Sequence, residues 1–285
     1  MHTPHHFTVP VFTLAVALGF FSMPFAGAQV FYSESYNLST EAQFTDNFTL
    51  STSGATNVAW NSGNGVGGVS GYLAVTSDGG TRHIGHNPSL GAFSTGDSAT
   101  ISMMFAGGNF VGSTSAFAHS LAGVGLRSNS PVGGENPSDL LGVDLLSPAT
   151  ANAPFQLRIN ATTSGENLSL PTGVWYEIEG VFTLADDSQS LWNVTANIYS
   201  RGADGAAVRT ELDTFTLNNI TNAGLVGSTN VFANMRVSRN STDGASINSL
   251  DNINITAVPE PGSGALLLGL GAALYAIRRR RRAIK

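Results

Sequence analysis

The chain has 285 residues, of which 13 are Lys or Arg, 19 are Asp or Glu and none is Cys. The absence of cysteine excludes a disulfide scaffold, a thiolate metal site and a cysteine nucleophile. Because six of the cations lie at positions 278–285, residues 29–258 keep seven arginines against 18 acids. That balance excludes nucleic-acid binding, since this part of the chain would repel polyphosphate.

The first 28 residues are typical of a secretory signal peptide. Residues 9–21 form an apolar run that is too short to span a bilayer comfortably. Ala26 and Ala28 supply the small residues that a signal peptidase requires, which predicts cleavage before Gln29. The alternative is a buried helix of the folded body, although three prolines interrupt the segment.

Between residues 29 and 257 the sequence favours β-structure throughout. Short runs rich in β-branched and aromatic residues recur, turn sequences such as Asp204-Gly205 separate them, and no long window has helical periodicity. Many short strands at this spacing predict an all-β fold of two packed antiparallel sheets, a β-sandwich of the jelly-roll type. The predicted strands are 44–50, 71–76, 99–106, 122–127, 140–146, 155–159, 174–184, 192–200, 208–217, 231–237 and 249–256.

The run 174–184 separates most clearly into two faces. Alternation with a period of two assigns one set of side chains to the core, while Glu177 and Glu179 belong to the opposite set. Asp186-Asp187-Ser188 follows and predicts a hairpin loop to the next strand. The predicted core set is Val174, Tyr176, Ile178, Phe182 and Leu184.

The same region resembles a known superfamily. Gly173-Val-Trp-Tyr176, followed by a strand that contains Tyr199 and by the Asp204-Gly205 turn, is similar to the concanavalin A-like (laminin-G-like) jelly-roll domains. The resemblance implies the sandwich fold. It implies no particular activity, since one fold hosts many functions.

The C-terminal segment 258–285 predicts a membrane anchor. Pro259, Glu260 and Pro261 precede an apolar stretch that ends at Ile277, and residues 258–277 would form about 30 Å of helix, enough to cross a bilayer. A cluster of arginines follows and predicts a stop-transfer signal on the cytoplasmic side. The cluster consists of Arg278, Arg279, Arg280, Arg281 and Arg282.

This order of Pro-Glu-Pro, transmembrane stretch and arginines resembles the PEP-CTERM sorting signal of bacterial proteins. The resemblance implies recognition by an exosortase, a membrane transpeptidase, with transient anchoring in the inner membrane and cleavage near Pro259, Glu260 and Pro261. It further implies delivery to the cell surface or matrix, and an association with exopolysaccharide loci. An ordinary tail anchor with a stiff linker is the alternative.

Glu177 and Glu179 are the candidate carboxylate pair for glycoside hydrolysis, which occurs on concanavalin A-like folds. Two residues apart on one strand face, their Cα atoms lie about 6.5–7 Å apart, a distance compatible with glycosidase acids. The sequence around them lacks the Glu-x-Asp-x-x-Glu pattern of sandwich glucanases. A solvated outer face explains both glutamates, so we predict no catalytic residue here.

Histidines and aspartates suggest no strong metal site. His83 and His86 are three residues apart, which places them on opposite faces of a strand, and no nearby residue completes a ligand set; we expect both in solvent-exposed loops. Asp186-Asp187 and Ser241-Thr-Asp-Gly244 offer oxygens that suit Ca²⁺. No cofactor is predicted, and Ca²⁺ is the one open alternative.

The leading hypothesis is an exported, non-enzymatic surface or matrix protein that associates with extracellular polysaccharide. An uncharged surface rich in Asn, Thr and Ser would hydrogen-bond sugars. The alternative is a polysaccharide-cleaving hydrolase or lyase on the same fold. A third hypothesis is an adhesin that uses exposed aromatic side chains, Trp60 or Trp175.

Overall fold

The structure of the protein is a computed structural model that describes 29–33, 41–51, 58–63, 65–68, 71–76, 80–110, 119–132, 140–147, 154–225, 227–239 and 245–258. These residues all belong to one compact unit, Ala26–Glu260. The Pro-Glu-Pro residues lie outside the described residues, as do the predicted signal-peptidase site and the anchor. Signal cleavage, cleavage near Pro-Glu-Pro and membrane anchoring therefore stay predictions. Within the described ranges, no helix is both long and apolar enough to cross a membrane.

The described residues form one short α-helix, two 3₁₀ helices at Val66–Gly68 and Ala223–Leu225, and fifteen strands. Helix α1 spans Glu41–Asn47. The strands are β1 Gln29–Ser33, β2 Phe48–Leu50, β3 Val58–Asn61, β4 Tyr72–Val75, β5 Gly80–His86, β6 Ser98–Phe110, β7 His119–Ser128, β8 Leu140–Ser147, β9 Gln156–Ile159, β10 Thr162–Thr163, β11 Trp175–Asp186, β12 Leu191–Ser200, β13 Thr210–Thr221, β14 Val231–Arg239 and β15 Ala245–Val258.

The strands pair into two antiparallel sheets. Sheet I has the order β2-β5-β14-β7-β8-β9-β10, and sheet II has the order β4-β15-β6-β11-β12-β13, with β3 beside β4 and β1 also along β15. A single residue pair, Arg239 with Ser246, joins β14 to β15 and so links the sheets. The predicted all-β sandwich is confirmed.

Alternation along the strands builds the core between the sheets. In β11, Tyr176, Ile178 and Phe182 are at most 1% exposed, and in sheet I their counterparts include Val124 and Met235. Leu184 is buried as well, and Val174 packs half-buried against this cluster just before the strand begins, so the predicted core set is confirmed. Each such side chain contributes about 1.5–3 kcal/mol when fully buried, which replaces the cross-links that the chain lacks.

Of residues 44–50, which were predicted as one strand, 44–47 belong to helix α1 and 48–50 form strand β2. Phe44 lies in the helix and Phe48 is the first residue of β2, and their rings stack at 5.3 Å in the core. Glu41 lies in the first turn, where a carboxylate favours helix formation. The expectation of a body without helix was therefore wrong at α1.

The predicted loop positions of the histidines were also wrong. Both residues lie in β5, which pairs with β14 on one side and β2 on the other, and both are at most 1% exposed. Their predicted separation onto opposite faces is confirmed: Nδ1 of His83 lies 3.0 Å from Oδ1 of Asn234 on the outer face. The His86 ring instead packs against Phe48, at 5.5 Å.

Burial of His86 predicts a stability change at mildly acidic pH. Desolvation lowers its pKa from 6.5 in the folded protein, despite a hydrogen bond to the Pro88 backbone that acts the other way. The unfolded chain therefore binds a proton first, and the free energy of unfolding decreases as pH falls below the unfolded pKa, about 6.5. Urea denaturation at several pH values will show this loss.

The variant His86→Phe identifies the group responsible. It removes the titrating ring and keeps an aromatic contact to Phe48, so we expect a smaller loss of stability between neutral and acidic pH than in the wild type. An unchanged pH dependence in this variant would assign the effect to another group.

Candidate functional site

Glu177 lies on the outer face of sheet II beneath the loop that connects β12 to β13. Two arginines of that loop turn back onto it: Arg201 Nη1 lies 3.1 Å from Oε2, and Arg209 Nε lies 3.0 Å from the same oxygen. Arg209 Nη2 also bonds Oε1. Glu177 is 4% exposed, so the expected outer face is confirmed but its expected solvation was wrong.

The carboxylate of Glu179 is likewise bound by donors from the protein. Its Oε1 accepts hydrogen bonds from Asn197 Nδ2 at 3.1 Å and from the Tyr199 hydroxyl at 3.2 Å, and Arg209 Nη2 lies 3.1 Å from Oε2. The Arg209 guanidinium also stacks over the Tyr199 ring at 4.7 Å. Burial, together with the charge of Glu179, raises the pKa of Tyr199 to about 12, so this hydroxyl stays a donor at physiological pH.

These contacts decide what the glutamate pair can do. Every carboxylate oxygen of Glu177 and Glu179 already has a protein donor. A glycosidase needs one acid and one base or nucleophile that both reach the scissile bond. The arrangement instead fastens the loop to the sheet.

Removal of one carboxylate should therefore cost stability. In Glu177→Gln, two guanidinium groups lose their shared counter-charge, and we expect the free energy of unfolding to decrease by about 1–3 kcal/mol, a value limited by the partial exposure of Arg209. Chemical denaturation measures the change. The exposed Glu166 offers a control, because Glu166→Gln should change stability by less than about 0.5 kcal/mol; equal effects of the two substitutions would argue against a fastening role.

A second ion-pair cluster lies on the outer face of sheet I and was not predicted. Asp144 of β8 is fully buried and pairs with Arg158 Nη2 at 2.9 Å and with Arg236 of β14. Glycines at positions 123 and 142 leave the space in which the Arg236 side chain reaches Asp144. In the sequence, the one indication of this cluster was an aspartate at an outward position within the otherwise apolar strand Leu140–Ser147.

The described residues form a cleft of about 360 Å³ where the β11–β12 hairpin meets the segments that precede β6 and β14. Phe93, Leu184 and Leu225 supply its apolar part, and the Phe93 ring packs on Trp192 at 5.5 Å. The polar part is formed by Asp187, Ser188, Ser190 and Ser228, beside Gly227. Such a volume lies within the range of about 300–1,000 Å³ found for small-molecule sites.

Hydrogen bonds hold the segments around this cleft in place. The Asp187 backbone N–H donates to Thr95 Oγ1 at 3.0 Å, and the Ser190 hydroxyl donates to the Asn222 carbonyl at 2.6 Å. The exposed Asp187 carboxylate has no hydrogen bond to another described residue. Gly227 has φ 60° and open space where a side chain would begin.

No metal centre is formed by the described residues, where no three His, Cys, Asp or Glu side chains converge. Asp186 accepts hydrogen bonds from Ser188 and Gln189 in its own loop, and the bond from the Ser188 side chain is the largest cause that lowers the Asp186 pKa. Residues 241–244 lie outside the described ranges. Binding of Ca²⁺ therefore stays a prediction.

The aromatic side chains considered for adhesion are not exposed. Trp175 is 7% exposed, and Trp60 is partly buried against the core. The expected exposure of these two residues was therefore wrong.

Comparison with known proteins identifies the C-terminal motif. Residues 257–282 match the PEP-CTERM protein-sorting motif, which confirms the resemblance noted from the sequence. This motif is typical of exported proteins that are processed at the membrane. No curated protein matches the chain.

Solved structures resemble the body in fold. Lectin I from Ulex europaeus, solved with the methyl glycoside of α-L-fucose, has a TM-score of 0.52 at 11% identity, over 81% of this chain and 98% of the lectin. Lectin II from Ulex europaeus has a TM-score of 0.50 at 10% identity, over 81% and 100%. The PL-14 alginate lyase from Aplysia kurodai has a TM-score of 0.51 at 12% identity, over 80% and 98%. At these identities the similarity shows a concanavalin A-like jelly roll.

Proposed function

We propose that this protein is an exosortase-sorted surface or matrix component whose β-sandwich binds extracellular polysaccharide without cleaving it. The observation that carries the proposal is the cleft beside Asp187. A carboxylate can accept hydrogen bonds from two neighbouring sugar hydroxyls, and an apolar floor with an aromatic ring suits the C–H face of a pyranose. Few polar groups placed around an apolar cavity are typical of small-molecule sites.

The ion pairs support binding without catalysis. Glu177 and Glu179 lie on the outer face of sheet II, where protein donors occupy all four of their carboxylate oxygens, and Asp144 is buried between two arginines. Among the described residues that line the cleft, Asp187 is the one acid, and its neighbour Asp186 is held by Ser188 and Gln189. Glycoside hydrolysis needs both an acid and a base or nucleophile. Neighbours of this fold include sugar-binding lectins and a lyase, and the site chemistry favours the first of these.

Variants at the cleft test the proposal. Asp187→Asn removes the accepting charge, and Gly227→Asn adds a side chain at a backbone conformation that Asn tolerates. We expect each variant to weaken binding of soluble neutral oligosaccharides, selected on a glycan array, by at least about tenfold, equivalent to about 1.4 kcal/mol. Isothermal titration calorimetry measures the affinities.

Glu166→Gln serves as the matched control, because it neutralises an exposed acid away from the cleft. It should bind as the wild type does. The absence of binding to every glycan, or equal loss in all three variants, would exclude the cleft as the sugar site.

Turnover and location test the remaining parts. We expect no release of sugars from β-glucans, galactans or alginate by the purified protein, and we expect the protein in the envelope or matrix fraction of the producing cells. Turnover that Glu177→Gln or Glu179→Gln abolished would favour the enzyme alternative, and a cytoplasmic protein would contradict the sorting role.

A further inference from the structure

The cleft beside Asp187 lies at the end of sheet II where β15 stops. Strand register aligns the last residue of β15, Val258, with Ser98 of β6, and it aligns Ser98 with Thr183 of β11. Because β6 runs antiparallel to both of these neighbours, β15 and β11 point in the same direction. The chain therefore continues from Thr183 towards Asp187 on the side of the sheet at which β15 ends.

The β11–β12 hairpin projects beyond the end of β15. Asp187 follows Thr183 by four residues, which corresponds to at most about 13 Å along a strand. Across the sheet, Thr183 lies two strands from Val258, about 10 Å away. The hydrogen bond from the Asp187 backbone N–H to Thr95 Oγ1 fixes the base of this projection against the segment that precedes β6.

Very little chain separates this end of the sandwich from the predicted membrane segment. That segment, 258–277, begins at the last residue of β15, and its apolar stretch starts at Gly262. Four residues of extended chain reach at most about 14 Å, and the polar headgroup layer on each side of a bilayer takes up about 5–7 Å. The hairpin projects over a comparable distance, so in the membrane-bound precursor it comes up against the headgroups.

The predicted N-terminus of the mature protein adjoins the same end of the sandwich. Strand β1 begins at Gln29, which pairs with Ala257 of β15, and Gln29 is the first residue after the predicted signal cleavage site. The two predicted processing sites therefore lie beside each other on neighbouring strands. Signal peptidase and exosortase both act at the membrane, which requires this end of the sandwich to face the bilayer.

We infer that the bilayer covers the cleft while the protein is membrane-bound, so that polysaccharide binding begins only after the body has left the membrane. Asp187 and Ser188 line the cleft and are exposed at the hairpin, the part of the site nearest the headgroups. A polysaccharide needs space on the solvent side of these residues, and the headgroups occupy that space. The inference rests on the proposed function for the class of ligand, whereas its geometry is independent of the ligand.

Thiol labelling measures the accessibility of the cleft without any sugar. The chain has no cysteine, so Ser188→Cys places a single thiol at the hairpin. Val208→Cys is the matched control, because Val208 is 88% exposed in the β12–β13 loop at the opposite end of the sheet. The full chain is reconstituted in vesicles of phosphatidylethanolamine and phosphatidylglycerol and labelled with a membrane-impermeant maleimide attached to a polymer. Gln189→Cys, at an exposed neighbouring position, replaces Ser188→Cys if that variant fails to fold.

A longer linker should uncover the cleft. An insertion of about 16 Gly and Ser residues between Val258 and Pro259 adds a mean reach of about 20–24 Å, and the same insertion after Lys285, across the membrane, is the control. We expect Ser188→Cys to be labelled at least about tenfold faster with the first insertion than with the second, since thiol reactivity depends on access. Val208→Cys should be labelled equally in both proteins. Equal labelling of Ser188→Cys, or a matching acceleration at Val208→Cys, would overturn the inference.

Sugar binding separates this inference from the proposed function. In the same vesicles and without the added cysteines, we expect a soluble polysaccharide that contains the array-selected sugar to bind at least about tenfold more tightly when the insertion precedes Pro259 than when it follows Lys285. Equal binding by both proteins would overturn the inference and leave the proposed function standing. The absence of binding by both would contradict the proposed function, and the labelling rates would still decide whether the bilayer covers the cleft.

Discussion

Burial of the inner sheet faces against each other is the constraint on which the rest of the structure depends. Without disulfides, side chains such as Tyr176, Ile178 and Phe182 must supply the stability of the body. Because a strand alternates strictly, this core also fixes which residues face outward. For this reason, outward positions are occupied by both glutamates of β11, by the buried Asp144 and by the threonines of sheet II.

Outward positions are used in three different ways. Glu177 and Asp144 are neutralised by arginines and hold a loop or neighbouring strands, so their charges serve the fold. Asp187 projects from a hairpin into solvent beside a braced cleft. Thr100, Thr195 and Thr256 occupy outward positions of sheet II without any charge. A ligand therefore meets the Asp187 carboxylate and uncharged threonine hydroxyls, which suit sugars better than anions.

The sequence was sufficient for the architecture because its signals are local. Alternation in 174–184, the hairpin at Asp186 and the C-terminal motif each lie within a short segment. The structure around Phe44 and Phe48 was harder to predict, because in so short a segment a helical spacing of apolar residues cannot be told from a strand rich in β-formers. Strand β5 was not predicted because Gly80 and Gly85 interrupt its sequence pattern. Its partners β14 and β2 are also far from it in the sequence.

The candidate site was less predictable than the fold. The cleft draws Phe93, Asp187 and Ser228 from segments far apart in the chain, and no motif joins them. Arg209 is 32 residues from Glu177, so the glutamate pair looked solvated when read alone.

The glycines beneath Arg236 have a consequence for how this sequence can change over time. A Cβ atom at Gly123 would lie 2.8 Å from the Val143 carbonyl oxygen and 2.9 Å from Arg236 Nε. The residues at these three sites are thus interdependent. A larger residue at 123 would displace the guanidinium and also press on the Val143 carbonyl, and a displaced Arg236 would leave the buried Asp144 with Arg158 as its arginine partner. Homologues should therefore keep or replace the three residues together.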